Sequence, residues 1–279
     1  MELYDVMFKE KFASMPYIKT GCGGSVSLTI SVVKFSDFDD MIKSANLSLR
    51  YACKDYNATI NGVNTQNAIN ANRFFHLKHA ILDYSACYDY CLLIVYFAFN
   101  FCGEITSHKE YQTALKECRY KNTNNQNHNF AIYEALTSLS KKDKHALELL
   151  NKLVPLFKER DKLAKWANAI KHRGNIYHEG LTPILPDIAK TTSKFYYDKD
   201  GNIKFTEGEV THISDIIAPQ IISNDSAITE LIRHNKTLCE FANWLYDFIG
   251  FKDIEKTKDF ITIFKDIRPF VYATHNNEK

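Results

Sequence analysis

Two residue types suited to phosphodiester chemistry lie close together in the segment IKHRGNIYHEG, residues 170–180. Arg173 carries a permanently charged guanidinium, which can bind two phosphate oxygens through parallel hydrogen bonds. His178 has an ordinary pKa of about 6.5, so it can accept or donate a proton near neutral pH. Together they could bind a phosphate group and move the protons that RNA cleavage requires.

Other polar residues surround this pair. Asn175 and Tyr177 lie between or beside the two and could position a substrate, while Lys171 and His172 could add phosphate contacts. A second interpretation needs no active site. Cationic side chains near a helix C-terminus are stabilised by the helix dipole, by about 0.3–1 kcal/mol each. The same residues could therefore form a solvated helix end.

The spacing of the pair predicts a break in the helix. On an ideal helix a five-residue step turns about 500°, which would place Arg173 and His178 about 140° apart. Gly174 follows the arginine and relaxes the backbone. We therefore expect the helix to end or distort before His178.

Other chemistries have weaker signals in the sequence. GxxxxGK[ST], GxGxxG, HExxH and GxSxG motifs are all absent, so we expect no cofactor. His76, His79 and Asp83 are three and four residues apart and could share a helix face as metal ligands. A polar stripe at a helix–helix contact explains the same trio. We therefore expect no metal.

Composition limits the class of protein. The 279 residues are 45% hydrophobic and 24% charged, which fits one large globular domain or two small ones. A net charge of +2 is too small to indicate a nucleic-acid-binding protein by bulk electrostatics, so recognition must depend on local charge. The seven cysteines form no CxxC pair, which excludes a zinc ribbon.

The location of the protein follows from its cysteines and apolar runs. The first residues, MELYDVMFKEKFASM, hold no long apolar run, so we expect no signal peptide. Without one, the cysteines are expected to be free thiols in the reducing cytoplasm. The run CLLIVYFAFNFC, residues 91–102, is shorter than the roughly 20 residues of a membrane span. It predicts a buried core helix and no membrane partner.

The elements that must position these residues can be read from periodicity. Residues 25–33, SVSLTISVV, alternate apolar and polar residues and predict a strand, and Ser36 then resembles an N-cap. The Asn-rich residues 57–72 predict a loop, and residues 74–101 a central helix. Asp83 and Asp89 interrupt the apolar surface of that helix, so each needs a partner, best an arginine.

The second half of the chain predicts further helices and a hairpin. Residues 121–129 predict a surface loop, and helical patterns begin near residue 130 and cover residues 142–154. A separate helix is expected over residues 155–178, with Pro155 in its first turn. Asp200-Gly201 predicts the turn of a hairpin over 194–205, and residues 225–249 predict one more amphipathic helix.

The expected fold is mainly α: a helical bundle with a small β hairpin and an N-terminal strand. Residues 1–35 would form an N-terminal extension with one strand, residues 36–250 the helical domain and residues 251–279 a tail. The N-terminal strand is expected to pair with the 194–205 hairpin, because an isolated hairpin is only marginally stable.

The segment from Arg173 to His178 resembles the R-x(4–6)-H motif of the HEPN superfamily, helical bundles that include many metal-independent ribonucleases. The order of elements is similar as well: a long apolar helix carries Asp83 and Asp89, and a later helix ends in the Arg–His motif. One position departs from the pattern. The residue after the family's arginine is commonly polar, whereas here Gly174 follows and Asn175 comes one position later.

The resemblance implies a function and a set of partners. Arg173 and His178 would be catalytic, with Asp83 and Asp89 as supporting carboxylates, and RNA would be cleaved to a 2′,3′-cyclic phosphate without a metal. A homodimer would bring two motifs together across a two-fold axis. A toxin or phage-defence role would add a cognate antitoxin or an activator as partner. The alternative is a non-catalytic helical module that binds RNA, a nucleotide or a protein.

Overall fold

The computed structural model describes residues 26–53, 59–60, 63–64, 66–118, 132–173, 176–179, 189–191, 194–206, 210–212 and 221–250. This part of the chain is mainly helical, which confirms the expected fold class at that level. Its six α-helices are α1 Val26–Cys53, α2 Gln66–Ala98, α3 His108–Glu117, α4 Tyr133–Ser140, α5 Lys144–Asn168 and α6 Asn224–Ile249.

The strands are short and pair only two at a time within the described residues. The antiparallel pairs are β1–β2, β4–β7 and β5–β6, and the pair β3–β8 is parallel. Their bounds are β1 Thr59–Ile60, β2 Val63–Asn64, β3 Tyr177–His178, β4 Ala189–Thr191, β5 Lys194–Tyr197, β6 Ile203–Thr206, β7 Val210–His212 and β8 Ile221–Ile222.

The predicted hairpin is confirmed as β5 and β6. Gly201 adopts a positive φ of 80° in its turn, a conformation that glycine adopts without steric cost. The Asp198 carboxylate accepts hydrogen bonds from the backbone N–H groups of Asp200 and Asn202, at 3.0 and 2.9 Å. The turn residues therefore fix the register locally.

Helix α2 is the centre of the bundle, since α1, α5 and α6 all pack against it. Its side chains Ile81, Tyr84 and Tyr88 are completely buried. The predicted central helix is thus confirmed, although it begins at Gln66, eight residues earlier than expected. The earlier start makes part of the predicted loop 57–72 helical, and β1 and β2 occupy another part of it.

The predicted N-terminal strand is wrong, because Val26–Cys53 form a helix. Leu28, Phe35, Phe38 and Ile42 are all buried and recur at the three- and four-residue spacing of one helix face. Burial of this face against α2 overrides the strand preference of the β-branched residues. Pairing of this segment with the 194–205 hairpin is therefore wrong too.

Two predicted boundaries also change. Ser36 is an exposed residue in the middle of α1 rather than an N-cap, so the expected division after residue 35 falls inside a helix. Pro155 likewise lies inside α5, which Asp143 caps. Pro155 removes the N–H partner of the Asn151 carbonyl, but both residues face solvent, where water can bind that carbonyl. Residues 1–25, 121–129 and 251–279 lie outside the described part of the chain.

Among the described helices, one has the length and composition of a membrane span. Residues Ala68–Ala98 meet both criteria, but 67% of the most apolar window is buried by the rest of the protein. A core helix of a soluble protein has the same composition, which agrees with the predicted buried helix.

The helical assignment of residues 26–33 can be tested with two substitutions. A strand would place Val26 and Leu28 on the same face, whereas here Leu28 is 2% exposed and Val26 is 54% exposed. We expect Leu28→Ala to lower the free energy of unfolding by about 2–5 kcal/mol and Val26→Ala to change it by less than about 0.5 kcal/mol. Urea denaturation measures both, and equal losses would contradict the helix.

Candidate functional site

The Arg–His segment spans a change of backbone structure. Helix α5 ends at Asn168 and continues as a π-helical turn, Ala169–Arg173, and the chain then enters β3 at Tyr177. The expected distortion of the helix before His178 is therefore confirmed. Gly174, Asn175 and the side chains of Arg173 and His178 lie outside what the structure describes.

Burial and strand pairing hold the segment in place after the turn. Ile176 is completely buried, and Tyr177–His178 pair in parallel with Ile221–Ile222. The backbone N–H of Glu179 donates to the Ile222 carbonyl oxygen at 3.0 Å. The residues that follow the motif are thereby fixed to the strand that leads directly into α6. Single π-helical turns are rare in proteins and are frequent at functional sites.

A carboxylate of α2 lies beside this part of the molecule. Arg160 Nη2 donates to Asp89 Oδ1 at 2.6 Å, so the predicted arginine partner of Asp89 is confirmed. Loss of contact with water, because the carboxyl is partly buried, raises the pKa of Asp89, while the charges of Arg160 and Lys171 act in the opposite direction. Half of the Asp89 side-chain surface is exposed to water, so we treat the carboxyl as ionised at neutral pH.

The predicted site residues that the structure describes divide into two groups. The first group lies at the end of α5. There Lys171 and His172 are exposed on the π-helical turn and Tyr177 is half-buried. The charge of Lys171 also acts on Asp89. Asp83 instead lies against α1, where it accepts a hydrogen bond from Ser44 Oγ at 2.7 Å. The structure thus places Asp89, but not Asp83, beside the end of α5.

The three residues considered as metal ligands make other contacts in the structure. His76 stacks on the Tyr51 ring, with centroids 5.2 Å apart, while Asp83 binds Ser44. In the described part of the chain there is no group of three or more His, Cys, Asp or Glu residues that could hold a metal ion.

A buried polar chain between two helices, α2 and α6, was not predicted from the sequence. Tyr88 Oη on α2 lies 2.6 Å from His234 Nδ1 on α6, and His234 Nε2 lies 3.3 Å from Glu230 Oε1. The His234 side chain is completely buried. Glu230 and His234 are four residues apart and share a helix face, but the partner Tyr88 is 146 residues away. That separation leaves no local signal in the sequence.

Charged residues of α5 and α6 extend this chain to the surface. Lys162 Nζ lies 3.5 Å from Glu230 Oε2, and Arg233 pairs with both Glu230 and Glu159. Burial, together with the charges of Arg233 and Lys162, lowers the pKa of His234 to about 3. The imidazole is therefore neutral at physiological pH. If the Tyr88 hydroxyl donates to Nδ1, the remaining proton lies on Nε2, which makes no hydrogen bond although Glu230 Oε1 is 3.3 Å away.

The buried histidine predicts a loss of stability in acid. Its pKa is about 3 in the folded protein and about 6.5 in the unfolded chain. Its contribution to stability is thus complete above pH 6.5 and declines as the pH falls toward 3. Between pH 7 and pH 5 this group should lower the free energy of unfolding by about 2 kcal/mol.

Urea denaturation of the wild type and His234→Gln at both pH values measures this contribution. The stability difference between the two proteins should shrink at pH 5, because glutamine takes up no proton. His145→Gln is the matched control, since the His145 side chain is 69% exposed. A constant difference between the wild type and His234→Gln would show that His234 is not held neutral.

Comparison with known proteins adds no assignment: no family model, no curated protein and no solved structure matches this chain. Function must therefore be inferred from the residues and their geometry.

Proposed function

We propose that this chain is a metal-independent endoribonuclease of the HEPN type. One observation supports the proposal above all others: the Arg173-x4-His178 spacing coincides with the place where α5 becomes a π-helical turn and then a short strand. An ordinary solvated helix end requires no such change of backbone. The reaction class comes from the resemblance of this motif to that superfamily.

The local charges also favour a phosphate ligand. Asp89 faces two cations, Arg160 and Lys171, so these three residues together carry one positive charge at neutral pH. Arg173 lies two residues after Lys171 on the same turn, and we expect its guanidinium to add a second positive charge. A positive group at the surface attracts the phosphates of RNA, and Asp89 can hold Arg160 in a fixed orientation.

The reaction needs only proton transfer and charge stabilisation. The ribose 2′-oxygen attacks the adjacent phosphorus while His178 takes the 2′-hydroxyl proton. The bond from phosphorus to the 5′-oxygen then breaks, and that oxygen receives a proton from an acid. The products are a 2′,3′-cyclic phosphate and a 5′-hydroxyl. Arg173 donates hydrogen bonds to the phosphate oxygens, which carry more negative charge in the transition state.

A dimer would supply both proton-transfer groups. In a two-fold symmetric dimer each motif faces its copy, so the second His178 can act as the acid while the first acts as the base. Lys171 and His172 are exposed and could contact flanking phosphates, with Asn175 and Tyr177 positioning the substrate.

The dimer itself can be tested. Sedimentation velocity should give a species of twice the 32.2 kDa chain mass.

The proposal predicts cleavage that depends on both motif residues. Purified protein should cleave single-stranded RNA in the presence of EDTA and leave cyclic-phosphate ends. We expect His178→Ala to reduce the rate by about 10²–10⁴-fold, the usual contribution of general acid–base catalysis. Arg173→Ala should cause a comparable loss, and Arg173→Lys a partial one, because lysine keeps the charge but not the bidentate geometry.

His145→Ala provides a histidine control, because that side chain is exposed near the opposite end of α5. Circular dichroism and thermal unfolding of each variant establish that the fold is intact. If the wild type leaves RNA uncut, or if His178→Ala cleaves as fast as the wild type, the ribonuclease proposal is wrong. A non-catalytic binding module then becomes the better account of the fold.

A further inference from the structure

Four aromatic rings form a continuous group where α1 and α2 meet. The Tyr51 and His76 rings are stacked, with centroids 5.2 Å apart and planes 26° apart. The ring centroid of Phe75 lies 5.7 Å from that of His76 and 4.6 Å from that of His79. We call these four residues, Tyr51, Phe75, His76 and His79, the aromatic patch.

Two rings of the patch are exposed to solvent. Phe75 is 54% exposed and Tyr51 is 40% exposed, whereas the neighbouring Phe74 is 6% exposed and belongs to the core. Core packing therefore accounts for Phe74 but not for Phe75. Exposing a phenylalanine to water has a cost that burial in a complex would remove.

Among the residues that the structure describes, the charges near the patch are mainly positive. Arg50 precedes Tyr51 and is exposed, and Arg73 acts electrostatically on Cys53 at the end of α1. Lys78 lies beside the neighbouring Phe74, its Nζ 5.2 Å from the ring centroid. The nearest carboxylate along α2, Asp83, accepts a hydrogen bond from Ser44.

The two imidazoles add to the aromatic surface. Partial burial, and then the nearby His79, lower the pKa of His76. His76 is therefore mostly neutral at physiological pH and presents a flat ring rather than a cation.

We infer that the aromatic patch is a stacking site for single-stranded nucleic acid. Every base has a flat π face, and exposed aromatic rings bind successive bases with little sequence preference when cations nearby bind the phosphates. Phe75 and Tyr51 offer the ring faces, and Arg50 and Arg73 supply charge for the backbone. A duplex hides its base faces, so it should bind this patch poorly.

The position of the patch relates it to the proposed active site. Phe75 and Asp89 are 14 residues apart on α2, which places them about 21 Å apart along the axis and within about 40° of the same face. A single strand bound at the patch could thus run along α2 toward Asp89 and Lys171. This link rests on the proposed function, whereas binding at the patch does not.

The test separates binding from cleavage through the choice of probe. A fluorescein-labelled 2′-O-methyl RNA of about 12 nucleotides lacks the 2′-hydroxyl, so the proposed reaction cannot cut it. Fluorescence anisotropy of this probe should give a Kd for the full chain that is weakened about 5- to 150-fold by Phe75→Ala or Tyr51→Ala. Phe75→Trp should bind the probe about as tightly as the wild type, because tryptophan also offers an aromatic ring.

Leu147→Ala is the matched control, since Leu147 is a 44% exposed apolar residue on α5, and it should bind like the wild type. The same sequence as a duplex should compete weakly. Equal affinity of the wild type and both alanine variants, equal competition by the duplex, or no binding at all would overturn the inference. If the protein binds this probe but leaves unmodified RNA uncut, only the ribonuclease proposal is refuted. If it cuts unmodified RNA and Phe75→Ala binds the probe like the wild type, only the stacking site is refuted.

Discussion

The fold depends on the burial of α2, above all of its second half. Its second half has an almost continuous apolar surface, which no single neighbouring helix could cover. Helices α1, α5 and α6 therefore surround it, although they come from distant parts of the chain. Pro155 does not interrupt α5. The helix continues through the proline and buries the next two residues, Leu156 and Phe157.

The polar groups of α2 fix how these helices are arranged. The Tyr84 hydroxyl donates to Asn46 Oδ1 of α1 at 2.6 Å, and Asn235 of α6 donates to the same oxygen at 2.6 Å. Tyr88 meets His234 in a similar way. Apolar packing alone tolerates small rotations of a helix, whereas a buried hydrogen bond does not, since an unpaired buried group costs about 1–3 kcal/mol. These contacts thus specify the orientation of α6 against α2.

The same constraint carries through to the surface near the Arg–His motif. Asp89 follows Tyr88 directly, so the orientation of α2 that buries Tyr88 against α6 also directs Asp89 toward Arg160 of α5. On the other side of the motif, β8 leads into α6 and pairs with Tyr177–His178. The end of α5 is therefore attached to both α2 and α6. A site built in this way can hold its groups at fixed positions without a cofactor.

The sequence by itself determined the elements that depend on local signals. The hairpin follows from its Asp-Gly turn, the helix of residues 225–249 from its apolar spacing, and a break before His178 was expected from the five-residue step between Arg173 and His178. The need of Asp89 for an arginine was also visible, because a carboxylate within an apolar helix requires a partner. Which arginine would meet it was not visible.

Tertiary structure decided everything that depends on a distant partner. Residues 26–33 have the composition of a strand, yet they are helical because α2 offers a surface for Leu28 and Phe35. Pro155 ends no helix because its side of α5 faces water. The pairing of Tyr88 with His234 joins residues 146 positions apart, and the exposure of Phe75 beside a buried Phe74 depends on which face of α2 the neighbouring helices cover. Propensity and spacing act within a few residues, whereas burial is set by whichever helix arrives from elsewhere in the chain.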